Sequence, residues 1–185
     1  MVFVQRIVLS ETNMIKVFPA IVLFSILAIV SCVKIQSLPP EPHIEYTSFT
    51  LFDTTDLLGN NIMGGRLKFY FEDGDGDLGL DVPEGLKEAD TINLFVTLYR
   101  MNNGKISPAP DNDPFKPTGF RIPYMERPGQ NKILKGDISV IFFYLFYSKE
   151  DTIRYDFNIK DRAGNLSNTV STSLIPVFFP GVYEK

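Results

Sequence analysis

Apolar and polar residues alternate with a period of two along most of the chain beyond residue 45. In "RLKFYFE" (66–72), Leu67, Phe69 and Phe71 share one face, while Arg66, Lys68, Tyr70 and Glu72 share the other. Successive strand side chains point to opposite faces, so the pattern predicts a half-buried β-strand. "TIRYDFNIK" (152–160) sets Ile153, Tyr155, Phe157 and Ile159 against Arg154, Asp156, Asn158 and Lys160. "TINLFVTLYR" (91–100) aligns Ile92, Leu94, Val96 and Leu98, and Asn103-Gly104 follows it. That dipeptide is a hairpin signal, because both residues tolerate positive φ. "EYTSFTLFD" (45–53) predicts the first strand and "NTVSTSLIPV" (168–177) the last. "DISVIFFYLFY" (137–147) is apolar on both faces and predicts a central strand. Residues 105–131, rich in Pro, Asn, Asp and Gly, predict a long excursion with one short strand near "TGFRIPY".

Heptads, internal repeats and long amphipathic helical patterns are absent. About seven strands with turn chemistry between them predict an all-β protein, a single immunoglobulin-like β-sandwich over residues 44–185. The disulfide and core tryptophan of antibody domains are missing, since the chain has one cysteine and no tryptophan. The expectation therefore rests on strand number and pattern.

Ahead of the strands the pattern changes. Residues 17–30, "VFPAIVLFSILAIV", are apolar apart from Ser25. As a helix this run would be about 21 Å long, short of the roughly 30 Å hydrocarbon core of a bilayer. The length suits the apolar region of a signal peptide. The run ends in Ile29-Val30-Ser31-Cys32, which resembles the lipobox of bacterial lipoproteins. The resemblance implies a diacylglycerol on the Cys32 thiol and cleavage just before it, making residues 1–31 a signal peptide. Counted from Met1 the leading region is long and holds Glu11; counted from Met14 it reads "MIK". Met14 is therefore the expected start. Residues 32–43 would be a lipidated tether, and the prolines of "VKIQSLPPEPH" favour an extended spacer.

Composition narrows the chemistry. A single cysteine allows no intramolecular disulfide, and one histidine with one cysteine cannot furnish the usual zinc site. The lone histidine, His43, ends the spacer and reads as a solvated tether residue. Net charge is −4, and no basic face is visible, which argues against nucleic acid.

The acids are concentrated. Residues 71–81, "FEDGDGDLGLD", place Asp73, Asp75, Asp77 and Asp81 at relative positions 1, 3, 5 and 9. This spacing resembles the calcium loops of thrombospondin type 3 repeats and the start of an EF-hand loop. Ca²⁺ takes six to eight oxygens at about 2.3–2.6 Å, and alternate residues of a curled loop can aim carboxylates inward. Leu78 stands where the EF-hand turn needs glycine, and Pro83 obstructs a following helix, so this is not an EF-hand. A calcium-binding loop of a sandwich is one reading; a polar turn, where Asp and Gly are favoured anyway, is the other.

A topological argument joins a second stretch to the first. If 66–72 is strand B and 152–160 is strand F, both run the same way. The loops after them then share one end of the sandwich. Asp161 or Asn165 of "DRAGN" would complete a coordination shell there, although "DRAGN" is also a good tight turn.

The lipobox, "FEDGDGDLGL" and "YDFNIKDRAGNLSNTV" together resemble an uncharacterised family of Bacteroidota lipoproteins. The resemblance implies attachment to the bacterial outer membrane, and carries no known activity. The residues after Cys32, Val-Lys-Ile-Gln, lack an acidic export run, which favours the periplasmic face. The leading expectation is a non-enzymatic binding or accessory module for a protein or glycan partner, with Ca²⁺ stiffening the loop end. Tyr70, Phe95 and Tyr99 are candidate contacts, unless another layer covers them. The rival expectations are a carbohydrate hydrolase using paired carboxylates and a structural subunit of an outer-membrane complex. A buried carboxylate with a raised pKa in a cleft would mark the hydrolase, and a large exposed apolar patch the subunit.

Overall fold

The computed structural model describes residues 38–81, 91–125, 132–145 and 151–185. The signal-peptide-like run, Cys32, Pro83 and the rest of 82–90 lie outside the described residues. Nine strands appear among the described residues: β1 (His43–Thr55), β2 (Asn61–Asp73), β3 (Leu94–Asn102), β4 (Lys105–Pro108), β5 (Leu134–Tyr144), β6 (Thr152–Ile159), β7 (Val170–Ser171), β8 (Ile175–Pro176) and β9 (Gly181–Glu184). They form two antiparallel sheets. One has the order β5-β2-β1-β9; the other has β4-β3-β6-β7, with β8 also paired to β6. The neighbours match strands E-B-A in one immunoglobulin sheet and C′-C-F-G in the other, so the predicted sandwich is the observed fold.

The alternation explains the core. Leu67, Phe69 and Phe71 of β2 and Ile153, Tyr155, Phe157 and Ile159 of β6 are all buried. Aromatic pairs bridge the sheets: Phe69 meets Phe157 at 5.1 Å, and Tyr155 stacks on Phe49 at 5.9 Å and on Phe142 at 4.9 Å between centroids. Asn168, just ahead of β7 of one sheet, bridges to β1 of the other. Its Oδ1 accepts from Ile44 N at 2.8 Å and its Nδ2 donates to Ile44 O at 2.9 Å. The side-chain amide thus stands in for a strand neighbour.

Several boundaries differ from the expectation. β1 begins at His43, which pairs with Glu72, so the histidine is in the sheet and not a free spacer residue. β2 runs back to Asn61 through Gly64 and Gly65. β5 is an edge strand, not a central one: its outward Ile141 and Phe143 are exposed, although they are apolar. The expected last strand, 168–177, is two short pieces, β7 and β8, and β9 was not anticipated. "TGFRIPY" makes only isolated bridges, Phe120 to Leu94 and Pro123 to Leu80. The Asn103-Gly104 turn has positive φ at both residues, 52° and 74°, as its chemistry requires.

Candidate functional site at the loop end

β2 ends at Asp73 and β6 ends at Ile159, and the loops after them meet at one end of the sandwich. Arg162 N donates to Asp77 O at 3.3 Å and Ala163 N donates to Asp77 Oδ2 at 2.9 Å. The Arg162 guanidinium donates to Gly79 O at 2.9 Å and Leu78 O at 3.3 Å, and lies over the Tyr124 ring. The neighbouring loops expected from strand direction are therefore present.

Asp73 organises the acidic loop from within. It is fully buried, and its two oxygens accept from Gly76 N at 3.2 Å and Leu78 N at 2.8 Å. Gly76 and Gly79 supply the positive φ that the curl needs, at 66° and 98°. The curl brings one carboxylate oxygen each from Asp73, Asp75 and Asp77 within 4.8 Å of one another. Asp77 Oδ1 is buried with no hydrogen-bond partner among the described residues.

The electrostatics are unfavourable without a cation. Burial pushes the Asp73 carboxyl above the usual carboxylate range; the two loop amides oppose that rise and the neighbouring Asp75 adds to it. Burial also pushes Asp77 up, reinforced by the charges of Asp161 and then Asp75. Gathered carboxylates repel more strongly where solvent is excluded.

The six expected metal residues fare differently. Asp73, Asp75 and Asp77 converge, and Asp161 is close enough to act on Asp77. Asp81 is exposed and stands outside the converging group. Asn165 is turned to Asp161: its backbone N and its Nδ2 donate to the two Asp161 oxygens at 2.7 and 2.8 Å. That arrangement is the tight turn of "DRAGN", with Gly164 at φ 94°. Two features escaped the sequence reading, the Arg162 strap across the loop and the contact of Gly74 with Pro39. Neither carries a local signal, because both depend on how distant loops meet.

Of the candidate aromatic contacts, Phe95 is exposed, and Tyr70 and Tyr99 are half-buried. The Arg154 guanidinium lies over Tyr99 at 4.6 Å and Lys160 over Phe95 at 5.8 Å. Tyr70 OH donates to Glu72 at 2.9 Å. Cationic side chains of the same outer face thus lie over Tyr99 and Phe95, and Phe95 stays exposed beside its lysine.

Comparison with family models, with curated proteins and with solved structures finds no match to this chain.

Proposed function

We propose that this protein is a lipid-anchored, non-enzymatic module of the bacterial envelope, whose β-sandwich serves a protein or glycan partner and whose acidic loop end is stiffened by Ca²⁺. The observation that carries the calcium part is the convergence of Asp73, Asp75 and Asp77 oxygens within 4.8 Å. Hard oxygen donors in a curled loop suit Ca²⁺, which accepts irregular geometry; Mg²⁺ demands a tighter octahedron. Asp77 Oδ1, buried and unpartnered, is a donor atom such an ion would satisfy. The anchor rests on the resemblance of Ile29-Val30-Ser31-Cys32 to a lipobox.

The hydrolase reading would draw on the raised carboxyls of Asp73 and Asp77. Asp73, however, has no exposed surface for a substrate, and each of its oxygens accepts one loop amide while keeping a second lone pair for an ion. This supports a loop-shaping role for it over contact with a substrate. The subunit reading draws on a different observation. Leu57, Phe143 and Leu145 line an apolar recess at the opposite end of the sandwich, and neighbouring Leu58 is strongly exposed. Light scattering on the purified protein tests it: a single stable oligomer dispersed by Phe143→Ser supports it, and a monomer opposes it.

The test of the main reading is calorimetric titration of Ca²⁺ into chelator-treated protein, beside an Asp75→Ala, Asp77→Ala variant. Extracellular-type sites bind at roughly 10⁻⁴–10⁻³ M, so millimolar calcium is needed. Saturable heat and a raised melting temperature, both lost in the variant, are the expected result. No heat and no shift would reduce the loop to a polar turn.

A further inference from the structure

The acidic loop touches the segment by which the chain joins the sandwich. Gly74 N donates to Pro39 O at 3.1 Å. The approach leaves no room for a side chain: a Cβ on Gly74 would lie 2.2 Å from Pro39 O and 2.5 Å from Leu38 O. Pro39 has no N–H, so its carbonyl is the only backbone hydrogen-bonding group it offers. Pro39, Pro40 and Pro42 stiffen this segment, which bends at Pro40 and Glu41 before it enters β1. Pro42 is buried where the stretch enters β1, so the Gly74 bond sets the course of the part ahead of it. Gly74 lies between Asp73 and Asp75, in the part of the loop that the Asp73 carboxylate curls by accepting from Gly76 N and Leu78 N.

We infer that the acidic loop is a latch: its curl presents the Gly74 N–H to Pro39 O, and this bond fixes the path along which residues 38–42 reach β1. The latch stands on these contacts. Its control by Ca²⁺ rests on the calcium reading above, because an ion on Asp73, Asp75 and Asp77 would hold the curl and carboxylate repulsion in its absence would loosen it. Calcium would then set how firmly the tether is docked. Neither lever requires any change in the sandwich core.

Amide hydrogen exchange on the full-length protein in detergent tests the latch, read at Gly74 and at His43, the first ladder residue after the prolines, which have no amide. The expected result is a Gly74 amide exchanging more than about 10-fold slower than in an unstructured chain. Gly74→Ala should speed exchange at the His43 amide by about 10-fold while Phe69 and Phe157 in the sheets stay unchanged. A wild-type Gly74 amide exchanging at the free-chain rate would overturn the latch, whether or not the variant folds. So would a folded Gly74→Ala protein in which His43 exchanges as before. Repeating the wild-type measurement in millimolar Ca²⁺ beside the calorimetry separates the two ideas. Heat of binding with slower Gly74 exchange supports calcium control, and heat with unchanged exchange overturns that control while the calcium reading survives. No heat removes the calcium reading and its control together, and leaves the latch to be judged on Gly74.

Discussion

Gly65 lies on the inner face of β2, where Phe49 and Tyr144 press against the backbone. A Cβ there would be 2.6 Å from the Phe49 ring and 2.9 Å from Tyr144. Both rings are buried in the core and cannot retreat without opening it. Gly65→Ala is therefore expected to destabilise by about 1–3 kcal/mol, the usual range for overpacking. Gly136 of β5 is the control, since its nearest neighbour to a new Cβ is Phe71 at 3.7 Å, an ordinary contact. Gly136→Ala should leave stability unchanged or slightly raised, because alanine narrows the unfolded ensemble. Urea denaturation of the two variants checks the pair. The same residues show what a sequence conceals. "NIMGG" lies ahead of the strand that the alternation predicts over 66–72, yet it is the first part of a 13-residue strand. A glycine inside a strand often marks a close approach, but which ring approaches is settled only by the facing strands.

Asp77 gives a residue-scale prediction with a sign. Its carboxyl is raised in the folded protein by burial and by Asp161. A raised acid binds its proton more tightly folded than unfolded. The stability this gives is fully present below the unfolded value, about 3.9, and is lost as pH rises through the higher folded value. In chelator, Asp77→Asn should therefore melt above the wild type at pH 7, and the gap should close towards pH 4. In excess calcium the order should reverse, because the variant lacks a ligand. Melting curves across pH, with and without calcium, check both halves.

At the scale of elements, the excursion after β4 is held by charge and by stacking. Arg100 of β3 donates from Nε and Nη2 to both oxygens of Asp113, the Nη2 bond being 2.9 Å, and from Nη1 to Asp151 at 2.7 Å. Its guanidinium lies over Phe115, whose backbone N also donates to Asp113 at 2.9 Å. Arg100 holds the Asp113 carboxyl below the usual range. Asp113→Ala is expected to cost about 2 kcal/mol, part of it from leaving Arg100 incompletely paired in a half-buried place. A depressed acid contributes stability above its unfolded value that is lost as pH falls through the folded one, so the deficit should fade below pH of about 4. Urea titrations at pH 7 and pH 3 check this. The excursion itself was legible as a Pro- and Asp-rich stretch. Its anchor was not, because Arg100 ends a strand pattern and looks like one more outward polar residue. β5 misled for a related reason: its apolar outer face promised a central place, but Ile141 and Phe143 face outward from an edge.

At the scale of the molecule, strand direction was the most informative inference available. Placing 66–72 and 152–160 as parallel-running B and F predicted that the Asp73–Asp81 and Asp161–Asn165 loops would meet, and they do, through Asp77. The result is a polarised sandwich. The chain joins it beside the acids, through Pro39 and Gly74, while Leu57, Leu58, Phe143 and Leu145 are exposed beyond the β1–β2 hairpin at the other end. This arrangement fixes where the chain can be cut. Ile44 is wholly buried, Tyr46 nearly so, and Asn168 holds both backbone groups of Ile44. Tyr46 OH lies 3.2 Å from Ser173 Oγ and also donates to Tyr183 O, tying β1 to the closing strands. Removing residues 1–37 touches none of these contacts and keeps Pro39 on Gly74. The melting temperature should then stay within about 2 °C of the full chain, a shift worth less than about 1 kcal/mol at this size. Removing residues 1–46 deletes two core side chains at about 2–5 kcal/mol each and strands the Asn168 amide, a loss comparable to the whole stability of a domain. Thermal unfolding of the two truncations decides it. A shorter truncation as unstable as the longer one would mean that the sandwich depends on residues ahead of Leu38.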